Sequence, residues 1–349
     1  MSDVEIKYHY RDPFDEHIIS FNYSFNFQTS EDKKKPKDTR SKYGIEWSAN
    51  CGNWGELSQD SVGFFLSKYP GAVYHFGRVV EGEEILEMDP GMPFRTTKHG
   101  PTFDVDNCTR VGEGWTKLVY DCGGMAVKVP HESGRAMQEC VGEYSNAPTE
   151  LRRLFCRLKI LRSFLYDAKL LTELQEDPGV PQLHQSNLPS IAVEKVDFDL
   201  RNFQIVTELG SSLDTISLLE MTWRQRLDIA LQAVRFIHRH SQLNFKDLRR
   251  QQFVIVGDAV KYIDFTDVTL IGNEDVHAVS LEHARRLYDD LVQDFLFAGT
   301  PQEAHGVLEG LLMQRKNNNL TMDTLLRGLE RIEQQFPLKL KHNGASAAD

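Results

Sequence analysis

The chain has 349 residues, 40% of them hydrophobic and 26% charged, with a formal net charge of −11. That length and composition support a large core, one big domain or two. The negative charge weighs against binding to nucleic acid or an anionic membrane surface, and no segment approaches the roughly 20 apolar residues a membrane-spanning helix needs. Residues 1–17 (MSDVEIKYHYRDPFDEH) lack the apolar run of a signal peptide, which as written places the chain in the cytosol. Cys51, Cys108, Cys122, Cys140 and Cys156 are odd in number and lack CxxC spacing. They give neither a zinc site nor a clear disulfide framework, and free thiols are expected. Sequons at Asn22, Asn107 and Asn319 would make a secreted chain a glycoprotein, but weigh little without a signal sequence.

Residues 1–100 read as an extension of unknown role. Ile18–Phe27 is aromatic and partly alternating, which predicts a strand. Residues 30–42 contain Lys-Lys-Lys-Pro-Lys and read as a solvated loop, and residues 61–69 as a short helix stopped by Pro70-Gly71. A new unit begins near Phe103. In residues 111–120 (VGEGWTKLVY), Gly112 and Gly114 would let a hairpin lie close over phosphates, although a lone GxG taken in isolation reads first as a plain hairpin turn. Lys117 stands where a kinase glycine-rich loop would have its third glycine, and Val119 where a side chain would pack on a nucleotide base. Residues 125–129 form an apolar strand carrying Lys128. A lysine there either points out of an edge strand or has a partner, because burying a lone charge is expensive. The order Ala126-Val127-Lys128 after the hairpin favours a phosphate-directed lysine. Residues 131–150 read as a loop or frayed helix. Residues 150–175 carry leucines at helical steps. Asp167 on that helix is the expected partner of Lys128, with Glu150 and Glu173 less well placed.

Residues 192–196 and 203–206 read as strands. Glu208 and Leu209 follow in a hinge-like turn, whose backbone groups would bond the edge of adenine. Residues 211–220 open with an N-cap-like Ser-Ser-x-Asp and predict a helix, and residues 222–240 a longer one. The chain then enters residues 244–267 (NFKDLRRQQFVIVGDAVKYIDFTD). Two apolar runs flank the turn Gly257-Asp258, so a hairpin would put Asp247 at its entry and Asp264 at its exit, on one edge. Phosphoryl transfer needs a carboxylate to orient the attacking hydroxyl and accept its proton, and oxygen ligands for a metal on the phosphates. Asp247 suits the first task, and Gln252 and Asp264 suit the second, with Mg2+ or Mn2+. The plainer alternative is a pair of ordinary loop carboxylates beside a hairpin. Residues 268–276 show no element. Residues 281–297, 306–313 and 322–336 predict helices, and residues 339–349 a disordered tail.

The order of these pieces predicts an α+β, two-lobed protein-kinase-like fold over residues 101–336. It would have a small β-rich N-lobe, a larger helical C-lobe, the N-terminal extension and a tail from 337. The chain resembles the vertebrate lonesome kinase family of secretory-pathway protein kinases over roughly residues 103–335. Gly114-Trp115-Thr116-Lys117 before Val119, Ala126-Val127-Lys128, and Asp247-Leu248-Arg249 followed by Gln252-Phe253-Val254 carry the resemblance. Asp264 lacks the usual glycine after it, as in that family. Phe245-Lys246 departs from the His-Arg of most kinases. No Ala-Pro-Glu follows Asp264, and roughly fifteen residues separate it from the next expected helix, which argues against a phosphorylated activation loop. The resemblance implies ATP, Mg2+ or Mn2+, a protein substrate accepting phosphate on a hydroxyl (tyrosine by resemblance), and a secretory or extracellular location in place of the cytosol. A pseudokinase scaffold and a small-molecule kinase are the alternatives. Joint retention of Lys128, Asp247 and Asp264 argues against the first of them.

Overall fold

A computed structural model describes residues 2–11, 18–27, 73–75, 78–81, 84–87, 100–143, 149–189, 191–192, 198–271 and 275–336. The expected helix at 61–69, the basic loop at 30–42, Cys51 and the tail lie outside the described residues. The protein is a mixed α and β structure that divides into two compact units. One comprises residues 1–177 and 181–209, the other residues 178–180 and 210–349.

In the first unit, β1 (Ser2–Arg11) pairs antiparallel with β2 (Ile18–Phe27), the strand read from its alternation. Strands β3 (Val73–His75), β4 (Arg78–Glu81) and β5 (Glu84–Glu87) form a second sheet. The main sheet has five antiparallel strands. Along it lie β6 (Thr109–Glu113), β7 (Lys117–Asp121), β8 (Met125–Pro130), β11 (Gln204–Glu208) and β9 (Leu183–Asn187), in that spatial order. β10 (Ile191–Ala192) instead pairs with β3.

Alternation sorts the main sheet's side chains onto two faces. Val127, Val129 and Val206 go to one face and form a buried cluster with Val105 and Cys122. Lys128 falls on the other face, where its cross-strand neighbours are Val119 and Ile205. The fully buried Gln204 exchanges two hydrogen bonds with the Phe103 backbone, at 2.9 and 2.8 Å, fastening the start of this segment to the sheet. Two helices follow β8: α1 (Arg135–Glu143), where a loop or frayed helix was expected, and the 25-residue α2 (Thr149–Glu173).

The cysteines correct the expectation of thiols. Cys108 bonds Cys122, and Cys140 bonds Cys156, with Cα separations of 4.9 and 5.8 Å. The register explains the first bridge. Thr109 and Asp121 are the last paired rung of the β6–β7 hairpin, so Cys108 and Cys122 occupy the next rung. The second fastens α1 to α2. In the chain-entropy picture, closing a loop of this size stabilises the fold by about 3 kcal/mol.

In the second unit, β12 (Ser211–Ser212) pairs with β14 (Phe253–Val256), which pairs with β15 (Ala259–Tyr262) across Gly257 at φ +60°. The helix expected over 211–220 is therefore absent. The Ser212 carbonyl accepts both the backbone N–H and the hydroxyl of Thr215, turning the chain after β12, and only Leu218–Glu220 forms a short 3-10 turn. Short hydroxyl side chains offer the backbone such alternatives to a helix.

Helix α3 (Trp223–Arg239) starts at a Thr222–Gln225 capping box and buries Leu227, Ala230, Leu231, Val234 and Ile237, the face expected from its spacing. β13 (Leu243–Phe245) pairs with β16 (Val268–Leu270), a strand the sequence did not announce. Then come α4 (Val276–Leu287), a π turn (Tyr288–Gln293), α5 (Asp294–Leu296), α6 (Gln302–Lys316) and α7 (Met322–Gln335). Arg226, buried on α3, donates to the carbonyls of Phe295 and Ala298 at 2.8 and 2.6 Å, satisfying the end of α5 that has no further helical partner.

Candidate functional site

The first unit brings Lys128 and Asp167 together. Lys128 Nζ lies 3.2 Å from Asp167 Oδ2, and the Asp167 carboxylate is fully buried. Glu173 instead sits 3.9 Å from Lys169. The same Asp167 oxygen takes a second ammonium, Lys117 Nζ, at 3.0 Å. The sequence motif places Lys117 where a glycine would stand and gives it no partner. The signal that finds it is parity: Val119 pairs with Lys128, and Lys117 is two residues before Val119, so both lysines point from the same face. Val119 and Ala126 share that face, and Ala126 is buried opposite Thr207.

The β6–β7 turn is closed by the Gly114 N–H donating to the Lys117 carbonyl at 2.8 Å. Its tip is tied down, since Ala136 N–H donates to the Trp115 carbonyl at 3.3 Å and His131 N–H to the Thr116 carbonyl at 2.7 Å. A Cβ on Gly112 would stand 3.3 Å from Val119 Cβ, and one on Gly114 3.6 Å from the Lys117 carbonyl, so neither position strictly demands glycine. Gly134 does: a Cβ there would meet the Trp115 carbonyl at 2.7 Å. In the hinge-like turn, Glu208 N–H donates to the Gln182 carbonyl at 3.1 Å, and its carboxylate accepts the Gln182 N–H at 2.7 Å. Leu209 follows, half-buried.

In the second unit, the β14–β15 hairpin does set Asp247 and Asp264 at its two ends. Ile263 N–H donates to the Gln252 carbonyl at 2.9 Å and closes the hairpin base. Asp247 accepts from Arg249 through both guanidinium nitrogens that face it. This pairing, chiefly the hydrogen bond to Asp247, raises the Arg249 pKa. Gln252, buried, donates its amide nitrogen to Asp247 Oδ2 at 2.6 Å. A carboxylate only accepts, so the NH2 end of the amide must face it, and Oε1 is the end turned from Asp247. Gln252 therefore touches the expected base, a contact not foreseen from its spacing. Asp264 Oδ1 accepts the Thr266 N–H at 3.3 Å.

Among the described residues no group of three or more His, Cys, Asp and Glu could hold a metal by itself. The oxygen donors Gln252 Oε1 and Asp264 suit a hard cation whose other ligands are phosphate oxygens and water, and to that extent they fit Mg2+ or Mn2+.

Beneath this loop lies an aromatic cluster in which Tyr262 meets Phe236, Phe245, Phe253 and Phe265 at centroid distances of 5.1 to 5.9 Å. His283 on α4 packs against Phe245 and is buried. Burial, helped by the Arg286 guanidinium, pushes its imidazole down to about 4. Its ordinary unfolded value is about 6.5, so the folded state binds the proton more weakly. The stability this neutral ring contributes is fully present above pH 6.5 and is lost as pH falls towards 4, in total about 3 kcal/mol. Glu282, held at about 2 chiefly by its hydrogen bond from Arg285, titrates below that window. Denaturant titrations at pH 7, 5.5 and 4.5 are expected to show this loss, and His283→Gln to flatten it.

No protein-family model matches the chain. Over 174 residues it is 30% identical to the human extracellular tyrosine-protein kinase PKDCC, covering 47% of this chain and 33% of that protein. The chain thus spans about a third of the length of the curated relative it matches. No helix among the described residues is long and apolar enough to cross a membrane. The likeness supports a distant relationship between this mixed α and β protein and a protein kinase, and the two disulfides are compatible with that relative's extracellular setting.

Proposed function

We propose that this chain is a protein kinase that transfers the γ-phosphoryl group of ATP to a protein hydroxyl, that of tyrosine by likeness to its relative. The observation that carries the reading is the buried Lys128–Asp167 pair on a strand beside a glycine hairpin. An ion pair this deep is a poor stabilising device compared with apolar packing, so its presence points to a task. In this reading residues 101–336 form the kinase domain, and the parts of the two compact units that fall within that range are its lobes.

Lys128, held by Asp167, orients the phosphates, and the β6–β7 turn with Gly112 and Gly114 covers them. Val119 and Ala126 pack on the base, and the backbone at Glu208 and Leu209 bonds its edge. Gln252 Oε1 and Asp264 hold Mg2+ or Mn2+, which when bound neutralises phosphate charge. Asp247 orients the acceptor hydroxyl and takes its proton as the hydroxyl oxygen bonds to the γ-phosphorus. The bond from that phosphorus to the β,γ-bridging oxygen breaks, and ADP leaves with the electron pair. Arg249 and the Gln252 amide fix the direction in which the Asp247 carboxylate faces. An extracellular or lumenal site of action follows the relative and accords with the disulfides.

ATP with Mg2+ is expected to raise the melting temperature by mass action, since ligand at a hundredfold excess over its Kd adds about 2.7 kcal/mol. No shift at millimolar ATP in a folded sample would sink the nucleotide reading. Incubation with labelled ATP, a peptide library and a protein extract then tests transfer. A melting shift without label on any protein would favour a binding role, and label on small molecules alone would favour a small-molecule kinase.

A further inference from the structure

Two lysines converge from neighbouring strands of the main sheet. Lys117 stands opposite Pro130 and Val119 opposite Lys128, so Lys117 and Lys128 are diagonal neighbours on one face. Asp167 Oδ2 lies 3.0 Å from Lys117 Nζ and 3.2 Å from Lys128 Nζ, and all three side chains are buried. The two ammoniums are therefore no farther apart than those two distances together. Lys117 is also where the β6–β7 turn closes, because its carbonyl accepts the Gly114 N–H. The turn itself is anchored to the segment after β8. The Arg135 guanidinium stacks 4.6 Å from the centre of the Trp115 ring, and the Trp115 and Thr116 carbonyls accept from Ala136 and His131.

We propose that Lys117 is a further catalytic residue: beside Lys128, its ammonium donates to the polyphosphate of the nucleotide, and Asp167 positions both lysines. The inference rests on the reading of this face as the ATP site. Three observations support it. Strand parity sets Lys117 on the face of Val119 and Ala126, the residues assigned to the base. Second, Gly112 and Gly114 each leave room for a Cβ, so bare backbone is not what fits this turn to phosphates. A lysine at its base brings a full charge and three donors in place of that close approach. Third, like charges brought this close repel, and the repulsion is strong where water is excluded. Anions between them offset it. Asp167 is one such anion, and a polyphosphate can span both ammoniums. The anchored turn keeps Lys117 from swinging out of reach.

An ATP derivative carrying an acyl group on its γ-phosphate reads the contact directly. A lysine amine beside the phosphates attacks the acyl carbonyl and forms an amide. The bond from that carbon to the phosphate oxygen breaks, ATP leaves with the electron pair, and the amine gives up a proton to solvent. Peptide mapping by mass spectrometry is expected to find the acyl group on Lys117 as well as Lys128, and excess ATP to prevent both. Label on Lys128 without Lys117 would overturn the proposal and leave the kinase reading standing. Label on neither would also overturn it, and the ATP melting shift then decides whether the kinase reading falls too. In turnover, Lys117→Met is expected to lower kcat by about 10²- to 10³-fold, the worth of one donor aimed at developing charge, with the KM for ATP little changed. Lys117→Arg, which keeps the charge, should recover part of the rate. A lysine that only held Asp167 in place would lose its effect once that carboxylate is gone. In the Asp167→Asn background, Lys117→Met is therefore expected to lower the residual single-turnover transfer by about tenfold or more again. No further loss there would make Lys117 a support for Asp167 alone and overturn the proposal. Should Lys117→Met fail to fold, the labelling of the wild type decides.

Discussion

Asp247→Asn is expected to lower transfer by about 10²- to 10⁴-fold, the usual worth of a positioned proton acceptor, and to leave the ATP-induced rise in melting temperature nearly intact. The asparagine keeps an oxygen that can accept from the Gln252 amide, so the loop keeps its shape while losing the basic group. Asp247→Ala is the harsher change, because Arg249 and Gln252 both lose their acceptor. Asp264→Ala should differ in kind: it removes a full charge from the metal and so should reduce both transfer and the nucleotide shift. Gln252→Ala should fall between them, since it removes a dipole from the metal and one hydrogen bond from Asp247. If Oε1 ligates the metal, its penalty should be larger with Mg2+, which demands near-ideal octahedral geometry, than with Mn2+. Rates and nucleotide affinity for these variants in each ion separate the roles. Wild-type turnover by Asp247→Asn would mean that another group takes the proton.

Much of the second unit was legible because its signals are local. The Gly257-Asp258 turn between two apolar runs fixed a hairpin, and with it the placement of Asp247 and Asp264. Helix α3 announced itself through its cap and its apolar spacing. What escaped was whatever depends on partners distant in sequence. β9 reads Leu-His-Gln-Ser-Asn, too polar to suggest a strand, yet Ser186 and Asn187 are buried beside β11. The pairing of β13 with β16, and the contacts of His283 with the Phe245 N–H and of Asp290 with the Arg250 N–H, join residues that share no motif. The Cys108–Cys122 bridge was within reach, since a hairpin over 109–121 puts its flanking residues opposite each other. Cysteine counting alone looks at spacing along the chain and misses that geometry. Lys117 escaped for a related reason: it was compared with a glycine in a motif, whereas its role follows from strand parity with Lys128.

Asp167→Asn is expected to cost both transfer and stability, by about 3–5 kcal/mol for the latter, the range for removing one partner of a buried ion pair. With Lys128 as its only partner, the loss of Asp167 would harm turnover more than folding. Two ammoniums on one buried carboxylate change that expectation, because the substitution leaves two like charges where the carboxylate had drawn them together. The consequence can be tested by coupling. Lys117→Met in the Asp167→Asn background removes one of those charges from a buried site and should recover part of the lost stability, whereas in the wild-type background it should destabilise. Contacting residues of this kind show coupling of about 0.5–3 kcal/mol in a double-mutant cycle. Transfer should not recover in the double variant, since Lys128 would still lack the carboxylate that orients it. Lys128→Met alone should abolish transfer, while Lys117→Met alone should retain nucleotide binding. Urea titrations of the wild type, both single variants and the double variant measure the cycle, and labelled-ATP transfer measures the rest. Strict additivity of Asp167→Asn and Lys117→Met would show that the two side chains do not share the interaction their distance describes, and Lys117 would then drop out of the site.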